Sequence, residues 1–94
     1  MNEMEPEIKV YVAVLAGFDQ YGQMIPRKLI WEDGRTYTID KVTDIRQASA
    51  MRAGGQGDRF TIWINGKQSY LFFERSANLS GNIIGRWFVE RKIA

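Results

Sequence analysis

Two dipeptides, Asp33-Gly34 and Asn65-Gly66, limit most narrowly what this chain can fold into. Leu29-Ile30-Trp31-Glu32 and Arg35-Thr36-Tyr37-Thr38-Ile39 flank the first. Phe60-Thr61-Ile62-Trp63-Ile64 and Lys67-Gln68-Ser69-Tyr70-Leu71-Phe72-Phe73 flank the second. Asp-Gly and Asn-Gly tolerate positive φ at both central positions, as a type I′ turn requires, and the twist of that turn suits the strands on either side. Two β-hairpins are therefore predicted. Ile8, Val10, Val12 and Val14 alternate with Lys9, Tyr11, Ala13 and Leu15, a period of two in β-branched residues that predicts an earlier strand. Phe18 to Gly22 reads as a turn, and Arg86-Trp87-Phe88-Val89-Glu90 as a closing strand.

The expected architecture is all-β: a small antiparallel barrel or strongly curved sheet of about six strands. The segment from Arg46 offers either a strand extension or one short helical turn. Gly54-Gly55-Gln56-Gly57 and the stretch Ser76 to Gly85 read as loops. Residues 1–7 carry Glu3, Glu5 and Glu7 and read as a flexible acidic tail, leaving 8–94 as a single small β domain. There is no internal repeat, heptad pattern or low-complexity tract.

Hairpin register turns this outline into surfaces. A two-residue turn at Asn65-Gly66 sets Ile64 opposite Lys67, Trp63 opposite Gln68, Thr61 opposite Tyr70, Phe60 opposite Leu71 and Arg59 opposite Phe72. Because side chains alternate between faces, Phe60, Ile62, Ile64, Leu71 and Phe73 share the face expected to be core. Arg59, Thr61, Trp63, Gln68, Tyr70 and Phe72 share the other. An aromatic face beside an arginine admits three readings. It can be covered as a second small core by the tail, the long loop or the first strand. It can form a protein interface, where Trp, Tyr and Arg are enriched. It can stack the bases of a single strand. The same counting at Asp33-Gly34 sets Arg27 opposite Asp40, an expected cross-strand ion pair.

Composition narrows the chemistry. The chain has no cysteine and no histidine, which removes disulfides, thiolate nucleophiles, the usual zinc ligands and the usual general base. No metal site, cofactor or catalytic residue is expected. At 45% apolar and 13% aromatic, the 94 residues are rich enough in large side chains to close one modest core. The apolar run from Ile8 to Phe18 is interrupted by Lys9 and is about half the length of a membrane-spanning helix. With an acidic rather than basic N-terminus, the expectation is a cytoplasmic protein that does not engage membranes. Residues 8–94 hold all 13 basic groups against 8 of the 11 acidic ones, so the net charge of +2 conceals a body at +5. That balance is compatible with nucleic acid but not diagnostic of it, and a solvated surface is its more ordinary meaning.

Two superficially chemical patterns fail on inspection. Gly54-Gly55-Gln56-Gly57 lacks the Lys-Ser/Thr and the following helix that a phosphate-cradling loop needs. Asp40 and Asp44, flanked by Lys41 and Arg46, approach no calcium-loop or paired-carboxylate pattern.

Ile25 to Arg91, roughly two-thirds of the chain, carries a longer pattern. Pro26 is followed by Leu29-Ile30-Trp31, then Gly34-Arg35, Tyr37, Ile39, Val42 and Asp44. Phe60-Thr61-Ile62, Tyr70-Leu71-Phe72 and Gly85-Arg86-Trp87-Phe88-Val89 complete it. This pattern resembles a group of small uncharacterised bacterial β domains, some of them encoded beside translesion DNA polymerases of the Y family. The additional first strand, the acidic tail and the Gly54 to Gly57 segment depart from it. The resemblance implies a shared packing and a DNA-associated setting. The functional expectation is a non-catalytic binding or accessory module whose contacts are Arg59, Trp63, Lys67 and Tyr70, with nucleic acid as partner. The alternative is a structural interaction module that takes a protein partner, or pairs with itself as a homodimer, through a strand edge and the aromatic face.

Overall fold

A computed structural model describes residues 7–49, 56–75 and 85–92. Among them the chain forms seven strands: β1 (Glu7–Phe18), β2 (Met24–Ile30), β3 (Thr36–Thr38), β4 (Lys41–Ser49), β5 (Gln56–Ile64), β6 (Lys67–Arg75) and β7 (Gly85–Lys92). All pairings are antiparallel, in the order β3-β2-β1-β7-β6-β5-β4. The described residues contain no helix, and hence none long and apolar enough to cross a membrane.

The sheet curls into a half-barrel, and β1 is where it bends. Its first half, Glu7 to Val12, pairs with β7, whereas Ala13 to Phe18 pairs with β2 across a bulge between Leu15 and Ala16. Opposite the step from Leu15 to Ala16, β2 carries one extra residue, Arg27, and such a bulge increases the local twist of the pair. Ile39 and Asp40 make the opposite corner. The Ile39 amide donates to the Arg27 carbonyl of β2 (2.9 Å), and the next amide, Asp40, donates to the Trp63 carbonyl of β5 (2.8 Å). The chain thus steps from one edge of the sheet to the other in a single residue.

This curl encloses the core. Leu29 of β2, Ile39, Phe60 and Ile62 of β5 and Leu71 of β6 form one buried cluster although three strands separate β2 from β5 in the sheet. Val12, Val14, Val42, Ile45, Ile64, Phe73, Trp87 and Val89 pack around it. Phe60, Ile62 and Leu71 are fully enclosed, as the hairpin register predicts, with Ile64 and Phe73 beside them.

The second hairpin has the expected geometry in full. Asn65 and Gly66 both hold positive φ (52° and 78°), as in a type I′ turn, and every pair from Ile64↔Lys67 to Arg59↔Phe72 is found. The first hairpin does not. Only Gly34 has positive φ (89°), and the register is Lys28↔Thr38, Leu29↔Tyr37, Ile30↔Thr36. The Gly34 amide donates to the Trp31 carbonyl and the Trp31 amide to the Arg35 carbonyl (2.9 and 2.8 Å). Glu32, Asp33 and Gly34 therefore form a three-residue loop ending in a left-handed glycine, the next most common hairpin connection. Asp33 favours it by accepting the Arg35 amide through Oδ1 (2.9 Å). In consequence Arg27 lies opposite Ile39, and the expected Arg27–Asp40 pair is replaced: the Asp40 carboxylate accepts the Asn65 amide (2.8 Å).

Other expectations are corrected in detail. The strand count is seven because Lys41 to Ser49 forms β4, so the segment from Arg46 continues as strand and not as a helical turn as far as Ser49. Residues 1–6 of the expected tail lie outside the described residues, and Glu7 pairs with Lys92 as the first residue of β1. Gly54 and Gly55 also lie outside them, whereas Gln56 and Gly57 begin β5. Of the expected second loop, 76–84 lies outside and Gly85 begins β7. The turn after Phe18 is present, with Asp19 Oδ1 accepting the Tyr21 and Gln23 amides (2.9 Å each).

Candidate functional site

The convex face of the sheet is built by the alternate residues of β1, β7, β6, β5 and β4. Adjacent strands place Tyr11, Phe88, Phe72, Arg59 and Arg46 in one cross-strand row. Two different environments result.

Near β1 the face is packed. Phe72 and Phe88 stack at 5.0 Å with an interplanar angle of 6°, and both are buried. Tyr11 meets Phe88 edge-on at 5.9 Å, and the Lys9 ammonium lies 5.0 Å from the Phe88 ring. The first strand therefore covers this part as a second small core, one of the three readings that the sequence allows. Above it sits a polar network. Tyr11 donates to the Glu74 carboxylate (2.8 Å), Lys9 pairs with the same carboxylate (3.2 Å), and Arg86 lies 4.0 Å over the Tyr11 ring while donating to its hydroxyl (3.2 Å).

Partial burial raises the Glu74 pKa, but the hydrogen bonds from Tyr11 and Lys9 and the charges of Lys9 and Arg86 outweigh it, and the net shift is downward from 4.5. A carboxylate whose folded-state pKa is depressed stabilises the fold above its unfolded value and loses that contribution as pH falls through the folded one. Glu74→Gln should therefore melt below the parent at neutral pH, by about 1 kcal/mol, the scale of a hydrogen bond to a partly buried charged group. The gap should close as the pH is lowered below 4.5. Denaturant melts from neutral to acid pH check this, and a gap that widens on acidification contradicts it.

Toward β4 the face is open. Tyr70 is 43% exposed, and the Arg59 guanidinium lies 4.6 Å over its ring. Arg59 Nε is buried without a hydrogen-bond partner. Arg46, directly across from Arg59, is held by Asp44 (2.7 Å), and Glu90 lines a depression on this face with Tyr70 and Phe72. Trp63 is half-buried; its indole N–H donates to Thr43 Oγ1 (3.1 Å), and the Lys41 ammonium stands 5.0 Å from the ring. The bulge between Val42 and Asp44 brings Thr43 within reach of that indole.

Arg59, Trp63 and Tyr70 thus share one face, as register predicts. Lys67 does not join them. Opposite Ile64, it belongs to the concave face and lines an opening there with Trp31 and Tyr37. Register also gathers Lys9, Tyr11, Glu74 and Arg86, which alternation within single strands cannot bring together. Among the described residues no group of three or more acidic side chains is placed to hold a metal ion. Comparison with family models, curated proteins and solved structures finds no match to this chain.

Proposed function

We propose that this chain is a non-catalytic binding module in DNA-associated processes, holding single-stranded nucleic acid on the convex face of its sheet. One observation carries the reading: the Arg59 guanidinium lies 4.6 Å over an exposed Tyr70 ring, and its Nε has no hydrogen-bond partner. A tyrosine ring held this way offers a stacking surface for a base of any identity, and the guanidinium supplies charge for the adjoining phosphate. Trp63 with Lys41 repeats the aromatic-cation pairing on the neighbouring ladder. The composition supports a binding role over a catalytic one, since no imidazole or thiol is available for proton transfer or nucleophilic attack.

The parent protein should bind a short fluorescent oligothymidylate at micromolar concentration in low salt. Affinity should fall as salt rises, because each phosphate contact releases counterions. A second reading rests on β4, a nine-residue strand with one neighbour in the sheet, whose other edge suits pairing with a protein strand or a second copy. Sedimentation separates the two: nucleic-acid binding by a monomer supports the first reading, and a dimer that ignores oligonucleotide supports the second.

A further inference from the structure

The concave face carries an open groove of about 400 Å³ beside the tip of the second hairpin. Its volume lies within the range of small-molecule sites, about 300–1,000 Å³. Leu29 and Ile64 contribute apolar surface continuous with the core, and Trp31 and Tyr37 add aromatic rings. Polar groups come from the turn residue Asn65 and from β6, where Lys67 and Ser69 share one face.

The geometry points to a binding site for a small planar aromatic carboxylate, its ring against Trp31 and Tyr37 and its anionic edge toward Lys67 and Ser69. Three observations carry this. The side chains of Trp31, Tyr37, Lys67 and Ser69 make no hydrogen bond or ion pair within the described residues, so their polar atoms are free to meet a ligand. The lining holds one cation and no carboxylate. The nearby acids are engaged elsewhere: Asp40 accepts the Asn65 amide (2.8 Å) and Glu32 pairs with Arg91 (2.7 Å). A single ammonium beside a hydroxyl matches one carboxylate, whereas a flat apolar body matches the aromatic walls.

This site is distinct from the convex face. Trp31 and Trp63 lie on opposite sides of the sheet, so their indole N–H signals report the two sites separately. The test titrates the full chain with 1-naphthoate and with its uncharged analogue 1-naphthalenemethanol, following the Trp31, Trp63 and Trp87 indole resonances. Saturable movement of the Trp31 resonance by naphthoate, with Trp63 unmoved, is expected. Naphthoate should bind more tightly than the alcohol, and Lys67→Gln should cost naphthoate about tenfold in affinity while leaving the alcohol unchanged. Lys67 is exposed at a hairpin end, so its replacement leaves the fold intact, and an unchanged amide spectrum verifies this. Absence of binding at millimolar naphthoate overturns the inference. So does equal affinity for acid and alcohol, or naphthoate binding insensitive to Lys67→Gln.

Discussion

Phe60→Ala should remove about 3–5 kcal/mol of stability, the range for truncating a buried phenylalanine. Phe60 is 1% exposed, packs 5.1 Å from Trp87, and lies where the curl of the sheet brings β2 against β5 and β6. Its neighbours Ile62 and Leu71 are themselves enclosed and anchored in a hydrogen-bonded ladder. Domains of this size melt about 4–8 °C lower per kcal/mol lost, so the midpoint should fall by more than about 12 °C. A thermal melt followed by near-ultraviolet circular dichroism reads the loss directly. A variant that melts with the parent would place the core on the other face of the hairpin.

Gly57→Ala should have the second-largest effect, for a different reason. A Cβ at Gly57 would press on the Phe73 carbonyl oxygen, come within 2.9 Å of its carbon and lie 3.2 Å from the Glu74 Cα. These are backbone atoms of the neighbouring strand and cannot rotate away. β5 and β6 must separate at this end, an overpacking cost of about 1–3 kcal/mol. Gly17→Ala is the control, since its Cβ meets only Arg27 Nε at 3.9 Å, an ordinary contact. Gly57→Ala should melt well below Gly17→Ala; equal midpoints would contradict the close approach of the two strands.

Gly57 also shows why parts of the fold are hard to see in the sequence. In the run Gly54 to Gly57 it reads as loop, because local composition cannot reveal that another strand passes too close for a side chain. The Asn65-Gly66 hairpin is legible because both residues accept the positive φ that the turn demands, and register then follows by counting. Asp33-Gly34 suits two turns equally well, and the three-residue form shifts the pairing by one. A one-residue slip exchanges cross-strand neighbours and faces. Tyr37 consequently stands opposite Leu29, on the core side with Trp31, a grouping that the two-residue turn would have split. β4 was obscured by its bulge at Thr43, which breaks the period of two, and by the single-residue corner before it. The convex candidate surface was legible where it depends on the second hairpin alone. Arg59, Trp63 and Tyr70 fall together, whereas the burial of Phe72 depends on a stack with β7 that no local pattern encodes.

The most direct test of the convex surface compares oligothymidylate affinity across three variants by fluorescence anisotropy at several salt concentrations. Tyr70→Ala removes the stacking ring, Arg59→Gln the cation over it, and Lys28→Gln an equal charge from exposed β2, outside the proposed contact. Tyr70→Ala should weaken binding by about five- to 150-fold, the worth of one base stack. Arg59→Gln should weaken it and reduce the salt dependence by about one phosphate contact, while Lys28→Gln changes affinity little. Parent-like binding by both Tyr70→Ala and Arg59→Gln, or an equal loss in Lys28→Gln, would contradict nucleic-acid recognition on this face.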